Sequence, residues 1–231
     1  FLRYEPELFI GDITQTHVAL LNKFNVIDHH LLIVTRAFED QEALLSSGDF
    51  EALWMCMAEF EALGFYNGGT VAGASQPHKH LQMVPLPLAD EGPSIPIEPL
   101  LGPRKPAQMV STIAALPFMH AFTWLSPSRV HKPLEAANAS LARYLALLDA
   151  VGISGVRTDG LQRQSAPYNL LVTRRWMLLV PRSQEFFDSI SVNALGFAGS
   201  LFVRDSAQLR AIKVRGPMTA LQEVALAASG H

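Results

Sequence analysis

Apolar and polar positions divide this chain of 231 residues into two runs of short strands and single helices. His17-Val18-Ala19-Leu20-Leu21 and His30-Leu31-Leu32-Ile33-Val34-Thr35 are apolar segments of strand length with β-branched members. They predict two buried strands joined through the polar turn Asn22-Lys23-Phe24-Asn25. Residues 40–63 predict helix. Ser46-Ser47-Gly48-Asp49 offers a break and a new N-cap within it. Phe50, Leu53, Trp54, Met57, Phe60 and Leu63 then follow three- and four-residue spacing, the stripe of a core-facing helix. Gly64 is placed to end that helix. Phe65-Tyr66-Asn67 reads as a short strand before Gly68-Gly69, and a further strand runs from the histidines at 78 and 80 to about Pro85.

Prolines at 85, 87, 93, 96, 99, 103 and 106 then exclude regular structure, so residues 89–110 are expected to connect two halves. In the second half, residues 118–124 predict a strand and 133–152 a helix. Residues 168–173 and 176–180 predict a hairpin turned at Arg174-Arg175, and 193–199 a polar, glycine-containing loop. Residues 201–203 predict a short strand and 217–228 a closing helix. Residues 1–14 read as irregular. The expected class is α+β: an antiparallel sheet with flanking helices, divided into halves at 1–88 and 111–231. The strand pair 17–35 is similar to the pair 168–180, and Gly64-Phe65 to Gly196-Phe197, which suggests two related half-units.

Composition narrows the function classes. With 49% hydrophobic and 17% charged residues, the chain can bury a substantial core. The net charge of −3 and the lack of a basic tail argue against non-specific nucleic-acid binding. A local cluster of donors can still hold a polyanion. Cys56 is the single cysteine, so neither a disulfide framework nor a cysteine zinc site is expected. No signal peptide or membrane-length apolar run is visible, and a soluble cytoplasmic protein with no membrane partner is expected. The opening Phe1-Leu2-Arg3-Tyr4-Glu5-Pro6 suggests a further segment upstream.

The chemistry concentrates in Gly73-Ala74-Ser75-Gln76-Pro77-His78-Lys79-His80-Leu81-Gln82. His78, His80 and Gln82 fall at i, i+2 and i+4, one face of a strand, with Leu81 and Met83 on the other. Lys79 points away from the polar face. Three readings compete. A metal could sit between the histidines, with His17, His29, His30 or His120 as a further ligand, yet no cysteine or glutamate is suitably spaced. The histidines could be satisfied inside a core. Or a neutral imidazole could attack a phosphate, with Ser75, Gln76 and Gln82 as uncharged donors to its oxygens. The attacking ring then needs its other nitrogen hydrogen-bonded to fix the tautomer, and a backbone carbonyl two residues back can do that.

Asn67-Gly68-Gly69 followed by residues 73–82 resembles the histidine-triad superfamily, in the branch with glutamine at the third triad position. That branch holds galactose-1-phosphate uridylyltransferases and ATP adenylyltransferases, the latter also called diadenosine tetraphosphate phosphorylases. Asn22-Lys23-Phe24, His29-His30-Leu31-Leu32 and Asn193-Ala194-Leu195-Gly196-Phe197-Ala198-Gly199 resemble the second group. The resemblance spans roughly residues 1–215. It implies a histidine-triad-like antiparallel sheet. It implies His80 as the nucleophile that takes up AMP, His78 as the residue whose carbonyl orients it, and Gln82 as a hydrogen-bonding partner of the phosphate. It implies substrate contacts at Asn22, Lys23, Asn67, Gly68, Gly73, Ala74, Ser75, Gln76, Asn193, Ala194, Leu195, Ser200 and Arg204. The family carries lysine at the Arg204 position and a further upstream lysine with no counterpart here. The implied activity is reversible phosphorolysis of diadenosine tetraphosphate to ATP and ADP. Hexose-1-phosphate uridylyl transfer, dinucleoside polyphosphate hydrolysis and nucleotide binding without turnover are the alternatives. A divalent cation, magnesium, is expected to arrive with the polyphosphate rather than on protein ligands, and no organic cofactor is expected.

Overall fold

The structure is a computed structural model describing residues 4–103, 109–158 and 160–228. Apolar segments of strand length pair into an eight-stranded antiparallel sheet in the order β1-β2-β3-β5-β4-β9-β10-β6. The strands are β1 (Phe9–Asp12), β2 (His17–Leu21), β3 (Leu31–Thr35), β4 (Ala62–Gly68), β5 (His80–Pro85), β6 (Ala121–Trp124), β9 (Tyr168–Val172) and β10 (Trp176–Pro181). Two small hairpins stand apart, β7 (Gly155–Thr158) with β8 (Leu161–Gln164), and β11 (Phe186–Phe187) with β12 (Ile190–Ser191). Helices α1 (Ser47–Glu59) and α2 (Pro133–Ala150) precede the short α3 (Ala194–Phe197), then α4 (Ser206–Arg215) and α5 (Pro217–Val224). The class is the α+β fold with flanking helices that the pattern predicts. The first-half and second-half strands meet at β4–β9, where Asn67 is paired with Asn169.

Strand alternation distributes the residues over two faces. Ala19, Ile33, Leu81, Met83, Tyr66, Leu170 and Met177 face α1 and α2, whose Phe50, Leu53, Trp54, Tyr144 and Leu147 complete that core. Leu63, Phe65, Val84, Leu171 and Leu178 face the other way, against α3, α5 and the side chains of Ile95, Ile97, Ile113, Leu116 and Phe118. Burying a side chain of this size contributes about 1.5–3 kcal/mol. The second layer stops short of β2 and β3. There Leu20 and Leu32 form the floor of a cavity.

Several elements differ from the pattern. The predicted helix 40–63 is a helix only over Ser47–Glu59, so Phe60 and Leu63 fall outside its stripe: Phe60 follows the last turn and Leu63 lies in β4, facing the second core. Residues 40–45 are held in turns because the Gln41 side chain donates to the carbonyl of Asn67 and accepts from the His80 amide at 2.8 Å. The Ser46 cap forms as expected, with a reciprocal bond from the Ser46 amide to Asp49. Gly64 lies inside β4 rather than at a helix end. A Cβ there would stand 2.8 Å from Leu53 Cδ1 and 2.9 Å from Met57 Cε, so glycine lets α1 sit close on the sheet. Residues 201–203 are irregular and rest on the second core instead of pairing. Residues 193–199, expected as a loop, contain α3, capped by Asn193. The predicted strand at 118–124 starts at Ala121, and the closing helix ends at Val224. Helix α4 escapes the pattern because only Ile212 is buried, leaving no apolar stripe; Asp205 caps it by accepting from Ala207 and Gln208. β1 and the β7–β8 hairpin are too short and too polar to stand out. Among the connecting prolines, Pro106 lies outside the described residues.

Candidate active site

His80 opens β5 on the side of the sheet that faces the cavity, because Leu81 and Met83 commit the alternate positions to the α1–α2 core. The cavity encloses about 400 Å³, and its wall includes His80, Gln82, His30, Asn67, Gly73, Ser75, Gln76 and Asn193. Asn22 and Lys23, at the turn between β2 and β3, form one edge, and Lys23 Nζ lies 2.5 Å from Glu5 Oε1.

The His80 ring is oriented through its backbone neighbour. Its Nδ1 lies 2.9 Å from the carbonyl oxygen of His78. A carbonyl can only accept, so Nδ1 carries the proton and Nε2 holds the in-plane lone pair. Burial pulls the pKa of His80 from 6.5 down to about 4; the bond to His78 opposes this, and the rings of His78 and His30 add to it. At neutral pH the ring is therefore uncharged and nucleophilic. The ring of His78 does not join the cavity. Its Nε2 lies 3.0 Å from Thr35 Oγ1 and 3.1 Å from the carbonyl of Ala37. His78 and His80 are thus separated in role: one supplies a carbonyl, the other a ring.

Lys79, between them, points to the opposite side and is buried. Its ammonium donates to Asp49 Oδ2 at 2.7 Å, Glu39 Oε2 at 3.0 Å and the Leu44 carbonyl at 3.1 Å. Burial pushes the Asp49 carboxyl up, but bonds from His17, Lys79 and Ser46, together with the Lys79 charge, outweigh it and hold the group at about 2. This buried pair ties the segment before β5 to the start of α1.

The loop between β4 and β5 is shaped by two glycines in positive φ, Gly69 at 91° and Gly73 at 88°. At Gly73 a Cβ would stand 3.0 Å from the Cβ of Asn193 and 3.3 Å from the Val192 carbonyl, so only glycine permits this approach. Asn193 in turn caps α3 through Leu195.

The structure brings together His80, Gln82, Asn22, Lys23, Asn67, Gly73, Ser75, Gln76 and Asn193 in one cavity wall. Ser200 and Arg204 line an adjoining cavity of about 290 Å³, which shares Val26 and Asn193 with the first. Gly68, Ala74, Ala194 and Leu195 are buried beside these walls without lining either cavity. The carbonyl of Gly68 accepts from Gln164, and the amide of Ala194 donates to Asn67 Oδ1 at 3.0 Å. His30, weighed in the sequence only as a metal ligand, lies 2.9 Å from Gln82 Oε1. Gln41, Asn169 and Arg182 also gave no local signal, since their roles depend on strands paired across the chain. Among the described residues no three His, Cys, Asp or Glu side chains cluster as metal ligands.

Comparison with known proteins agrees in both halves. A family model of the Ap4A (diadenosine tetraphosphate) phosphorylase N-terminal domain matches residues 1–103, and one of the ATP adenylyltransferase C-terminal domain matches residues 114–227. The chain is 29% identical to diadenosine 5',5'''-P1,P4-tetraphosphate phosphorylase 2 of Saccharomyces cerevisiae, over 82% of this chain and 63% of that protein. It is 26% identical to protein APA1 of the same yeast, over 87% of this chain and 65% of that protein. The chain thus spans less than two thirds of the length of either relative. In structure it is similar to crystalline yeast Ap4A phosphorylase Apa2, with a TM-score of 0.76 and 23% identity over 99% of this chain and 79% of that one. Apa2 in complex with Ap4A superposes with a TM-score of 0.74 at 21% identity, over 99% and 81% of the two chains. These likenesses establish the fold. With its two halves matching the two domains of one family in order, the chain belongs to the Ap4A phosphorylase and ATP adenylyltransferase family.

Proposed function

We propose that the protein is a nucleotidyltransferase that phosphorolyses diadenosine tetraphosphate to ATP and ADP, reversibly, through an adenylyl-His80 intermediate. One observation carries the reading. A neutral imidazole, fixed by the His78 carbonyl, faces a cavity of about 400 Å³ walled by amide side chains, a glycine-bounded loop and Lys23. Family membership and the Ap4A complex of Apa2 support the same substrate class.

His80 Nε2 attacks an α-phosphorus. A P–N bond forms, the P–O bond to the leaving polyphosphate breaks, and ATP departs with that electron pair. An oxygen of inorganic phosphate then attacks the phosphorus of adenylyl-His80. The P–N bond breaks, ADP leaves, and the neutral ring is restored. Gln82, Asn67 and Ser75 donate to the oxygens of the transferring group, where charge develops. Lys23 attracts the polyphosphate, and Arg204 with Ser200 serves its distal part in the adjoining cavity. Magnesium enters as part of the substrate, bound to the phosphates. The reading places the enzyme in the cytoplasm, with small molecules rather than nucleic acid or membrane as partners.

The wild-type chain is expected to form an acid-labile adenylyl adduct, and His80→Ala is expected to abolish both that adduct and turnover. Undiminished turnover in that variant would end the covalent mechanism. Labelled phosphate is expected in ADP; AMP without label in ADP would instead identify a hydrolase, and binding without any turnover a nucleotide-binding protein.

A further inference from the structure

Of the amide side chains that line the cavity, Asn67 and Gln82 lie on its strands, in β4 and β5. An amide presents a donor or an acceptor according to which way it is turned, so the identity of its outer group decides what it can bind. Both are tied down from behind by chains of hydrogen bonds whose direction can be worked out from groups of fixed sense.

The first chain starts at the backbone amide of Phe24, which can only donate. It donates to Asn22 Oδ1 at 3.0 Å. Asn22 Nδ2 therefore lies on the other side of that side chain, 3.2 Å from His30 Nδ1. A donor there makes Nδ1 the acceptor and puts the ring proton on Nε2. His30 Nε2 lies 2.9 Å from Gln82 Oε1, so the Gln82 oxygen is the acceptor and its NH2 is the remaining group. His30 and Gln82 are both buried.

The second chain starts at two groups that can only donate, the Arg182 guanidinium and the Ala194 amide. Arg182 is buried among backbone carbonyls of Val192, Val224, Gln184 and Glu185, and it also donates to Asn169 Oδ1. That fixes Asn169 Nδ2 on its opposite side, where it donates to the Ala72 carbonyl and to Asn67 Oδ1, each at 2.8 Å. Ala194 donates to the same Asn67 oxygen at 3.0 Å. Asn67, like Gln82, keeps only its NH2 for other partners.

We propose that these two relays lock Asn67 and Gln82 as a donor-only pair in the cavity wall, with His30 and Arg182 as positioning residues that turn Gln82 and Asn67 towards groups that can only accept. A phosphoryl group, whose ionised oxygens accept and never donate, is the chemistry this pair selects, while a group that can only donate gains no acceptor from it. The proposal deepens the adenylyl-transfer reading and rests on it for its kinetic consequence; the state of the relay itself does not.

The test has one arm for each. In 15N-histidine-labelled protein, a long-range 1H–15N spectrum reports which nitrogen of each ring is protonated, and a His30→Gln variant identifies the His30 signals. His30 is expected to be neutral with its proton on Nε2. An Nδ1-protonated or doubly protonated ring at pH 7 would overturn the relay whatever the protein's activity. In single-turnover adenylylation of His80, His30→Phe is expected to slow the reaction by about 10- to 100-fold with little change in KM. His30→Gln, which restores a donor, is expected to recover part of it. In a Gln82→Ala background, His30→Phe should cost less than about twofold more, because its effect passes through Gln82. A full, additive loss in that background, or wild-type rates in His30→Phe alone, would refute the positioning role. A wild-type chain that forms no adduct would sink the functional reading and leave the spectrum to decide the relay.

Discussion

Replacing Lys79 with methionine tests whether the buried charge cluster behind β5 holds the site together. The methionine fills similar space and removes the ammonium. Asp49 lies 2.7 Å away and is likewise buried. At an effective dielectric of about 20, the attraction between unit charges at that distance is about 6 kcal/mol before desolvation is subtracted. After substitution the Asp49 carboxylate keeps the bonds from Ser46 and the His17 ring at 3.1 Å but loses its lysine partner, and the Leu44 carbonyl loses its donor. Breaking one side of a buried pair typically costs about 3–5 kcal/mol, a large share of a total stability of about 5–15 kcal/mol. With a urea dependence of about 2 kcal/mol per molar, Lys79→Met should lower the unfolding midpoint by about 2 M at unchanged slope. Adding Asp49→Asn, which removes the stranded charge and keeps a capping oxygen for Ser46, should recover part of the loss. Because Lys79 sits between His78 and His80, adenylyl transfer should fall in the single variant as well. A midpoint shift equivalent to less than about 1 kcal/mol, or a double variant as unstable as the two single losses added, would refute the idea that this pair is strongly coupled.

Three further outcomes follow from the geometry. Gly73→Ala should cost about 1–2 kcal/mol and raise KM, since φ is 88° and the added methyl meets Asn193 at 3.0 Å; an unchanged melting temperature and KM would contradict this. Stability should decline in acid. The pKa of His80 falls from 6.5 in the open chain to about 4 in the fold, so this ring's contribution is complete above pH 6.5 and fades as pH falls towards 4. At about 1.4 kcal/mol per pH unit it amounts to about 3 kcal/mol, and denaturant midpoints that stay level between pH 7 and 4 would argue against it. Cys56, whose thiol burial and the Glu59 charge push up to about 12, should resist Ellman's reagent at pH 8 until the chain is unfolded, whereas rapid native labelling would show that the thiol is accessible.

Strands β2, β3, β9 and β10 were legible because a fully buried strand is apolar along most of its length, which local sequence reports directly. The core stripe of α1 and its Ser46 cap were legible for the same reason: spacing and capping chemistry lie within a few neighbouring residues. Alternation through Leu81 and Met83 put His80 and Gln82 on one face before any fold was known, and the carbonyl two residues before His80 was a local consequence. By contrast, the extent of α1 was decided by contacts from afar, with Gln41 bonded to Asn67 and His80, and Gly64 packed under Leu53 and Met57. Helix α4, largely exposed and without a stripe, left no periodic trace. The largest difference lies behind the cavity wall. Which way Asn67 and Gln82 are turned is set by Asn169, Arg182 and His30, residues that reach them only once β4 pairs with β9 and β3 with β5. Sequence determines which side chains are available on a strand face. The tertiary structure alone decides which of their atoms remain to meet a ligand, because a hydrogen bond's direction is fixed by partners far away in the chain.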